Sequence, residues 1–263
     1  LLAKGDFPFE LNIPIPFSLI INDPTANELR IIPAYWFQYN HYALQRNEWK
    51  YKDRDARETR EIALEYRSLA PDSINEIFNA LDLLALFAGK AFFKHLSKEI
   101  PADEMCRAKG RELFINDDKL LDDLEILAEG FENSKRKVVI LKARKAYASF
   151  TEMVRYYAVG QMAAKYSTAL TSDGLLQLTS GSYVESREEW VNIGGQLIPS
   201  SSLAVLLEEI KSSKLSSWEA VHLAYKGLAD SSPEHLFQHA LASLLEIEQV
   251  SLADLTASKL SSL

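Results

Sequence analysis

Six side chains in the run Tyr35–Arg60 carry the chemistry most readily read from this chain: Tyr39, Asn40, Arg46, Asn47, Lys50 and Arg54. If the run is one helix, Tyr35, Tyr39, Tyr42, Arg46 and Trp49 form one stripe, because residues three, four and seven apart share a face. Trp36, Asn40, Asn47 and Arg54 form a second stripe. Arg46, Asn47, Lys50 and Arg54 would then offer donors to an anionic ligand or a neighbouring subunit. The adjacent tyrosines and tryptophans would supply stacking surface. A plainer reading competes. From Arg46 to Glu61 six basic residues face five acidic ones, and Glu48–Lys52, Lys50–Arg54 and Arg57–Glu61 have helical spacing. Such pairs contribute ~0.3–0.5 kcal/mol each, which describes an ordinary solvated helix surface.

Other chemistry-bearing residues are thinly spread. His235 and His239 lie four apart on an expected helix, so both could face one metal, but no third ligand stands nearby and an ordinary surface helix explains them. His41 reads as a packed, hydrogen-bonded histidine in preference to an acid–base catalyst. Cys106 has Arg107 and Lys109 beside it, which would lower its pKa, yet without a nearby histidine a small helical side chain is the simpler account. Asp117, Asp118, Asp122 and Asp123 form an acidic face suited to a helix N-terminus. There is no Gly-rich phosphate loop, no nucleophile elbow and no clustered Cys/His pattern, so no metal or cofactor is expected.

The elements that would position these groups are mostly helical. Phe7, Phe9, Leu11, Ile13, Ile15, Phe17, Leu19 and Ile21 alternate with period two, the mark of extended chain with one buried face. Pro8, Pro14 and Pro16 on the other face cannot donate to a ladder, which predicts an edge strand or the last rung of a stacked β structure. Asn22-Asp23-Pro24 reads as a turn, and Leu29–Ile32 as a second β piece. Helices are expected from Pro33 to about Ser68 and from a Ser73/Glu76 capping box through Phe93, with Gly89 inside or ending it. Further helices are expected over Asp103–Phe114, from Asn116 to near Gly130, and from Ser134 to about Leu170. Residues 171–200 read as an irregular connection with β character near Leu175–Leu178 and Trp190–Ile193. Three helices follow: Ser201–Lys211, one opened by Ser216 and Glu219, and one opened by Ser232-Pro233-Glu234. The tail from Ser251 reads as a weak last helix or a frayed end. The expected fold is therefore mainly α: a multi-helix globular domain over 33–263, a short N-terminal β segment over 1–32, and minor β structure near 175–198.

Composition narrows the function classes. The 263 residues carry a net charge of −8, which argues against a dedicated nucleic-acid binder and against adsorption to anionic membranes. With a single cysteine no intramolecular disulfide can form, so a reducing, cytoplasmic setting is expected. No apolar run approaches the ~20 residues of a membrane-spanning helix. The chain begins at Leu1 in mid-pattern, and is expected to be a fragment of something longer.

Several phrases carry a resemblance. The runs Pro33-Ala34-Tyr35-Trp36-Phe37-Gln38-Tyr39-Asn40, Arg46-Asn47-Glu48-Trp49-Lys50, Arg54-Asp55 with Arg57, and Leu69-Ala70-Pro71-Asp72 resemble those of an uncharacterised bacterial family. So do Glu189-Trp190-Val191-Asn192-Ile193-Gly194-Gly195-Gln196-Leu197-Ile198-Pro199 and Ser217-Trp218-Glu219-Ala220-Val221-His222. In that family a left-handed parallel β-helix, similar to those of sugar-nucleotide acyltransferases, precedes a large helical region. The resemblance covers nearly the whole chain but lies in the helical region; at most Phe7–Ile21 would be the last piece of the β-helix. It implies a helical accessory or oligomerisation module of a transferase-like protein of undefined activity, with self-association, as in a trimer formed through the β-helix region. The alternative is a small-molecule domain with its own site, walled by Tyr35–Arg60 and the Gly194-Gly195 loop, for a nucleotide-sugar or acyl donor.

Overall fold

The computed structural model describes residues 1–59, 62–166 and 186–252. The chain divides into two compact units: Leu1–Asn47 with Glu76–Glu152, and Glu48–Asn75 with Met153–Leu263. The division falls within three helices, so the units are discontinuous in sequence.

The first unit is built on a sheet. Its strands are β1 (Leu2–Lys4), β2 (Leu19–Asp23), β3 (Glu28–Ile32) and β4 (Lys137–Ile140), in the order β1-β2-β3-β4. β1 pairs parallel to β2, β2 antiparallel to β3, and β3 parallel to β4, so the sheet is mixed. This corrects the expected fold class. A four-stranded mixed sheet with helices packed around it is an α/β arrangement, not a mainly α domain with a short N-terminal β segment. The N-terminal strands are neither a lone edge strand nor the end of a β-helix. They are joined by β4, which arrives from more than a hundred residues away.

The period-two pattern before β2 is real but is not a strand. Along 11–15 the odd residues are covered and the even ones exposed, while Asn12 N–H donates to the Phe131 carbonyl and Asn133 N–H to the Glu10 carbonyl. Prolines at 8, 14 and 16 prevent a longer ladder. The alternation ends at Phe17, whose φ of 56° turns the chain, and Ser18, Leu19 and Ile20 are then buried in succession. The β2–β3 turn is held by Asp23, whose carboxylate accepts from Thr25 and Ala26 N–H. Nearby, the Arg136–Glu132 pair is almost wholly enclosed, and the Arg136 hydrogen bonds hold the Glu132 carboxyl below its usual range.

Helices α1 (Tyr35–Tyr39) and α2 (His41–Arg54) replace the single long helix expected to Ser68. The break is Asn40, at φ −144°, a residue type that favours helix ends over helix interiors. Helix α3 (Pro71–His95) begins two residues before the expected cap, with Pro71 in the first helical position. Ser73 Oγ reaches back to accept from Ala70 N–H at 2.9 Å. Helix α4 (Asp103–Ile115) packs on α3 through Gly89 and Gly110. A Cβ on Gly89 would lie 1.9 Å from the Cys106 carbonyl oxygen, and one on Gly110 would lie 1.9 Å from that of Ala85. Cys106 is buried in this crossing, and burial pushes its thiol pKa up, opposite to what its basic neighbours suggested.

Asn116 ends α4 and does not open a helix. The following residues form a 3-10 turn, Lys119–Asp122, capped by the Asp118 carboxylate, while Asp117 and Asp122 pair with Arg144. The run expected as one helix from Ser134 divides into β4 and α5 (Ala143–Tyr166).

The second unit contains the hairpin β5 (Trp190–Ile193) and β6 (Gln196–Pro199), then α6 (Ser200–Lys211) and α7 (Trp218–Glu248). Gly194 and Gly195, at φ 60° and 95°, make a two-residue turn that requires positive φ at both positions. Two helices were expected where α7 runs unbroken. Ser217 caps it, accepting from Ala220 N–H, and Pro233 lies in its interior. The piece expected near Leu175–Leu178 and the tail beyond residue 252 lie outside the described residues.

Candidate functional site

A cavity of about 260 Å³ opens in the second unit, walled by the 63–67 segment, the β5–β6 hairpin and the middle of α7. Local sequence explains each wall. The hairpin turn is as tight as Gly-Gly permits. Gly195 accepts from Glu65 N–H through its carbonyl, and a Cβ there would lie 2.4 Å from Leu64 Cδ2, so a bulkier residue would displace the Leu64 side chain. Glu65 anchors that segment: its carboxylate accepts from Tyr66 N–H, Arg67 N–H and the Arg67 guanidinium. The Tyr66 ring stacks on Tyr51 at 4.7 Å. On the third wall, Pro233 has no N–H, so it cannot complete the helical bond to the carbonyl of Ala229, itself a cavity residue.

Two buried polar atoms among the lining residues have no hydrogen-bond partner among the described residues: Trp190 Nε1 and Gln196 Oε1. The Gln196 amide nitrogen donates to the Tyr225 carbonyl, so only its oxygen is unsatisfied. The Trp190 indole is 6% exposed, its ring set edge-on to His235 and His239. An unmatched buried donor costs roughly 1–3 kcal/mol. Structures rarely tolerate this without a partner such as a ligand or an ordered water.

Behind Trp190 lies a chain of hydrogen bonds whose polarity can be worked out. Asn75 Oδ1 accepts from Arg187, and Asn75 Nδ2 donates to the Glu188 carbonyl at 2.9 Å. His239 Nε2, 3.2 Å from the same Asn75 oxygen, must therefore carry the proton. His239 Nδ1 is then an acceptor, and Tyr157 Oη donates to it at 3.1 Å. Burial, reinforced by the Arg187 charge, lowers the His239 pKa to about 3, so the ring is neutral at pH 7. Burial also raises the Tyr157 pKa. Both ring nitrogens of His239 are engaged and His235 packs on Trp190, which removes the basis for a His235–His239 metal pair. This cluster fixes the Trp190 wall.

The residues singled out from sequence do not assemble into one site. Tyr39 turns towards α5: its hydroxyl accepts from Lys142 at 2.9 Å, and the Lys142 and Lys145 ammonium groups each lie 4.8 Å from its ring centre. The Lys142 hydrogen bond lowers the Tyr39 pKa. Asn40 ends α1. Arg46, Asn47, Lys50 and Arg54 lie along α2, where Arg46, Asn47 and Arg54 are exposed and no residue of the helix is buried. None of these four makes a hydrogen bond or ion pair to a described residue. Glu48 accepts from Ser68 N–H although Lys52 lies one turn away on the same helix. Arg57, beyond the end of α2, pairs with Asp55; Glu61, its expected partner, lies outside the described residues. Neither expected wall is among the residues that line the cavity; the Gly194-Gly195 turn directly precedes Gln196, which does line it. The 63–67 segment carried no motif; Trp190 lay in the Glu189–Pro199 phrase but nothing in the sequence marked its indole N–H as a donor.

Part of this region matches a known family model. Residues 172–263 match a domain of unknown function, DUF6819. The match includes the β5–β6 and α7 walls of the cavity and excludes the 63–67 wall. An uncharacterized protein of Treponema pallidum (strain Nichols) is 31% identical over 247 residues, which is 94% of this chain and 33% of that protein. The chain thus spans about a third of the length of this relative. No solved structure matches it. No helix among the described residues is long and apolar enough to cross a membrane. Among the described residues no group of three or more His, Cys, Asp or Glu side chains could hold a metal ion.

Proposed function

We propose that this chain is a non-catalytic module of a larger protein, and that its second unit binds a small organic ligand in the cavity beside Trp190. The observation that carries the reading is the Trp190 Nε1–H, buried and without an acceptor in a cavity wall. The hydrogen-bonded cluster behind Trp190, in which His239 is held neutral, favours binding over catalysis. At about 260 Å³ the cavity lies just below the roughly 300 Å³ at which pockets for drug-sized ligands begin, so it suits one compact ligand or one end of a longer one. A nucleotide-sugar would be held by a single moiety; the acyl end of an acyl donor suits the space better.

A ligand-observed NMR screen of small organic fragments tests this. Hits are expected with the wild-type chain and should vanish in Ala229→Phe, which fills the cavity from α7. Equal binding by both proteins, or no hits at millimolar concentration, would overturn the reading.

A second reading, an accessory or self-association module of a transferase-like protein, is favoured by α2. Tyr42 is 75% and Trp49 63% exposed there, more ring surface than a helix facing only water needs. The much longer relative also suits a module within a larger whole. Light scattering should then show association that Tyr42→Ser with Trp49→Ser abolishes; a monomer at every concentration would count against it. The single cysteine, buried in the α3–α4 crossing, suits a reducing, cytoplasmic setting.

A further inference from the structure

The chemistry of the cavity wall narrows the ligand beyond "small and organic", an inference that rests on the binding reading above. On the donor side is the Trp190 Nε1–H, buried and without an acceptor among the described residues. The Arg67 guanidinium is taken up by Glu65, which accepts from its Nε and Nη2. On the acceptor side is Gln196 Oε1, likewise buried and without a donor among the described residues. Between them the wall is apolar, with Leu64, Leu197 and Leu236.

Charge decides the class of ligand. The Arg67 and Glu65 charges cancel in a two-pronged pair, so the cavity presents no net charge. An ionised carboxylate or ammonium would lose hydration on entry and find no opposite charge to replace it. A neutral group carrying both an acceptor and a donor meets both sides of the wall at once. We infer that the cavity recognises an uncharged carboxamide with a short aliphatic body. Its carbonyl accepts from Trp190 Nε1–H, its N–H donates to Gln196 Oε1, and its hydrocarbon lies on the leucines. Such a group occurs as a free small amide or as the amide end of a longer acyl carrier.

The test uses a matched series: pentanamide, methyl pentanoate, pentanoate and pentylammonium, titrated into the ¹⁵N-labelled chain. The indole signals of its tryptophans are assigned through Trp190→Phe. Pentanamide should shift the Trp190 indole N–H downfield and bind roughly tenfold tighter than the ester, which keeps the acceptor and lacks the donor. Pentanoate and pentylammonium should bind more weakly still. Trp190→Phe should weaken pentanamide by roughly tenfold while leaving its preference over pentanoate intact. Pentanoate or pentylammonium binding as tightly as the amide, with a response at Trp190, would overturn the carboxamide assignment and leave the cavity a binding site. An amide titration that moves only signals away from Trp190, or moves none, would overturn both. Pentanamide and pentanoate each binding a second pocket is recognised by Ala229→Phe leaving the titration unchanged, and counts against both readings.

Discussion

The best-determined side chain in the second unit is His239, and its environment has a consequence for stability. A histidine in an unfolded chain titrates near pH ~6.5. Here burial and Arg187 depress the folded value to about 3. Between those values the unfolded chain takes up a proton that the folded chain refuses, so the stability this site contributes is present above pH ~6.5 and is lost as pH falls. The loss approaches roughly 1 kcal/mol per pH unit towards pH 4. Urea unfolding at pH 7.5 and 5, followed by near-ultraviolet signals, should show a steeper fall for the wild type than for His239→Gln, which has no ring to protonate. Identical slopes would mean that His239 is not the neutral, doubly bonded ring described here. None of this was legible in the sequence: His235 and His239 stand four apart on a helix whatever surrounds them. What separates them is the approach of Asn75 and Tyr157, contributed from 164 and 82 residues away. Likewise, Arg46, Asn47 and Arg54 stand out in the sequence as donors for an anionic ligand or a neighbouring subunit, and on α2 they are simply exposed. Residue type and spacing can nominate donors, but they cannot show whether anything converges on them.

The same limit governs the elements, with instructive exceptions. Helices α3, α4 and α6 were visible within a few residues because their apolar spacing is long and their ends carry Pro71, Asp103 or a serine run. β4 was missed because Val138-Val139-Ile140 sits only two residues before α5, and its apolar positions merge with the helical stripe that follows. Four β-branched-rich residues are too short to show their own period, and only pairing with β3 makes them a strand. Pro233 misled in the opposite direction: it reads as the first turn of a new helix, yet the chain continues helical through it at the cost of one hydrogen bond. Gly89 looked like a tolerated or terminal glycine, whereas it and Gly110 set how closely α3 and α4 approach. Gly89→Ala and Gly110→Ala should each destabilise by about 2–4 kcal/mol, because the new methyl meets backbone that cannot rotate away. Gly160→Ala in α5 and Gly227→Ala in α7 have open space and should stabilise by about 0.5–1 kcal/mol. Thermal denaturation of the four variants checks the contrast; uniform behaviour would show that the close α3–α4 crossing is wrong.

For the molecule as a whole, composition proved a sound guide to class and a poor one to architecture. Ordinary hydrophobic content and a charge of −8 describe a folded acidic protein equally well whether its sheet has two strands or four. The distribution of its tryptophans is more telling and can be measured. Trp49 and Trp218 are 63% and 76% exposed, on α2 and at the start of α7, while Trp190 is 6% exposed in the cavity wall. Isolated exposed rings are unremarkable, but Trp218 and Leu223, at 72% exposure, both lie in the first turns of α7, and Trp49 shares α2 with Tyr42. In dilute solution acrylamide should quench the emission of Trp49 and Trp218 readily and leave a protected fraction that Trp190→Phe reduces. If the α2 face is covered by a second copy, as the accessory-module reading holds, raising the protein concentration should shrink the quenchable fraction, and Trp49→Phe should remove that dependence. If small-ligand binding is the whole of the function, concentration should have no effect, while an amide ligand alters only the protected component. The two readings thus act on different tryptophans of one chain, and a single quenching series distinguishes them.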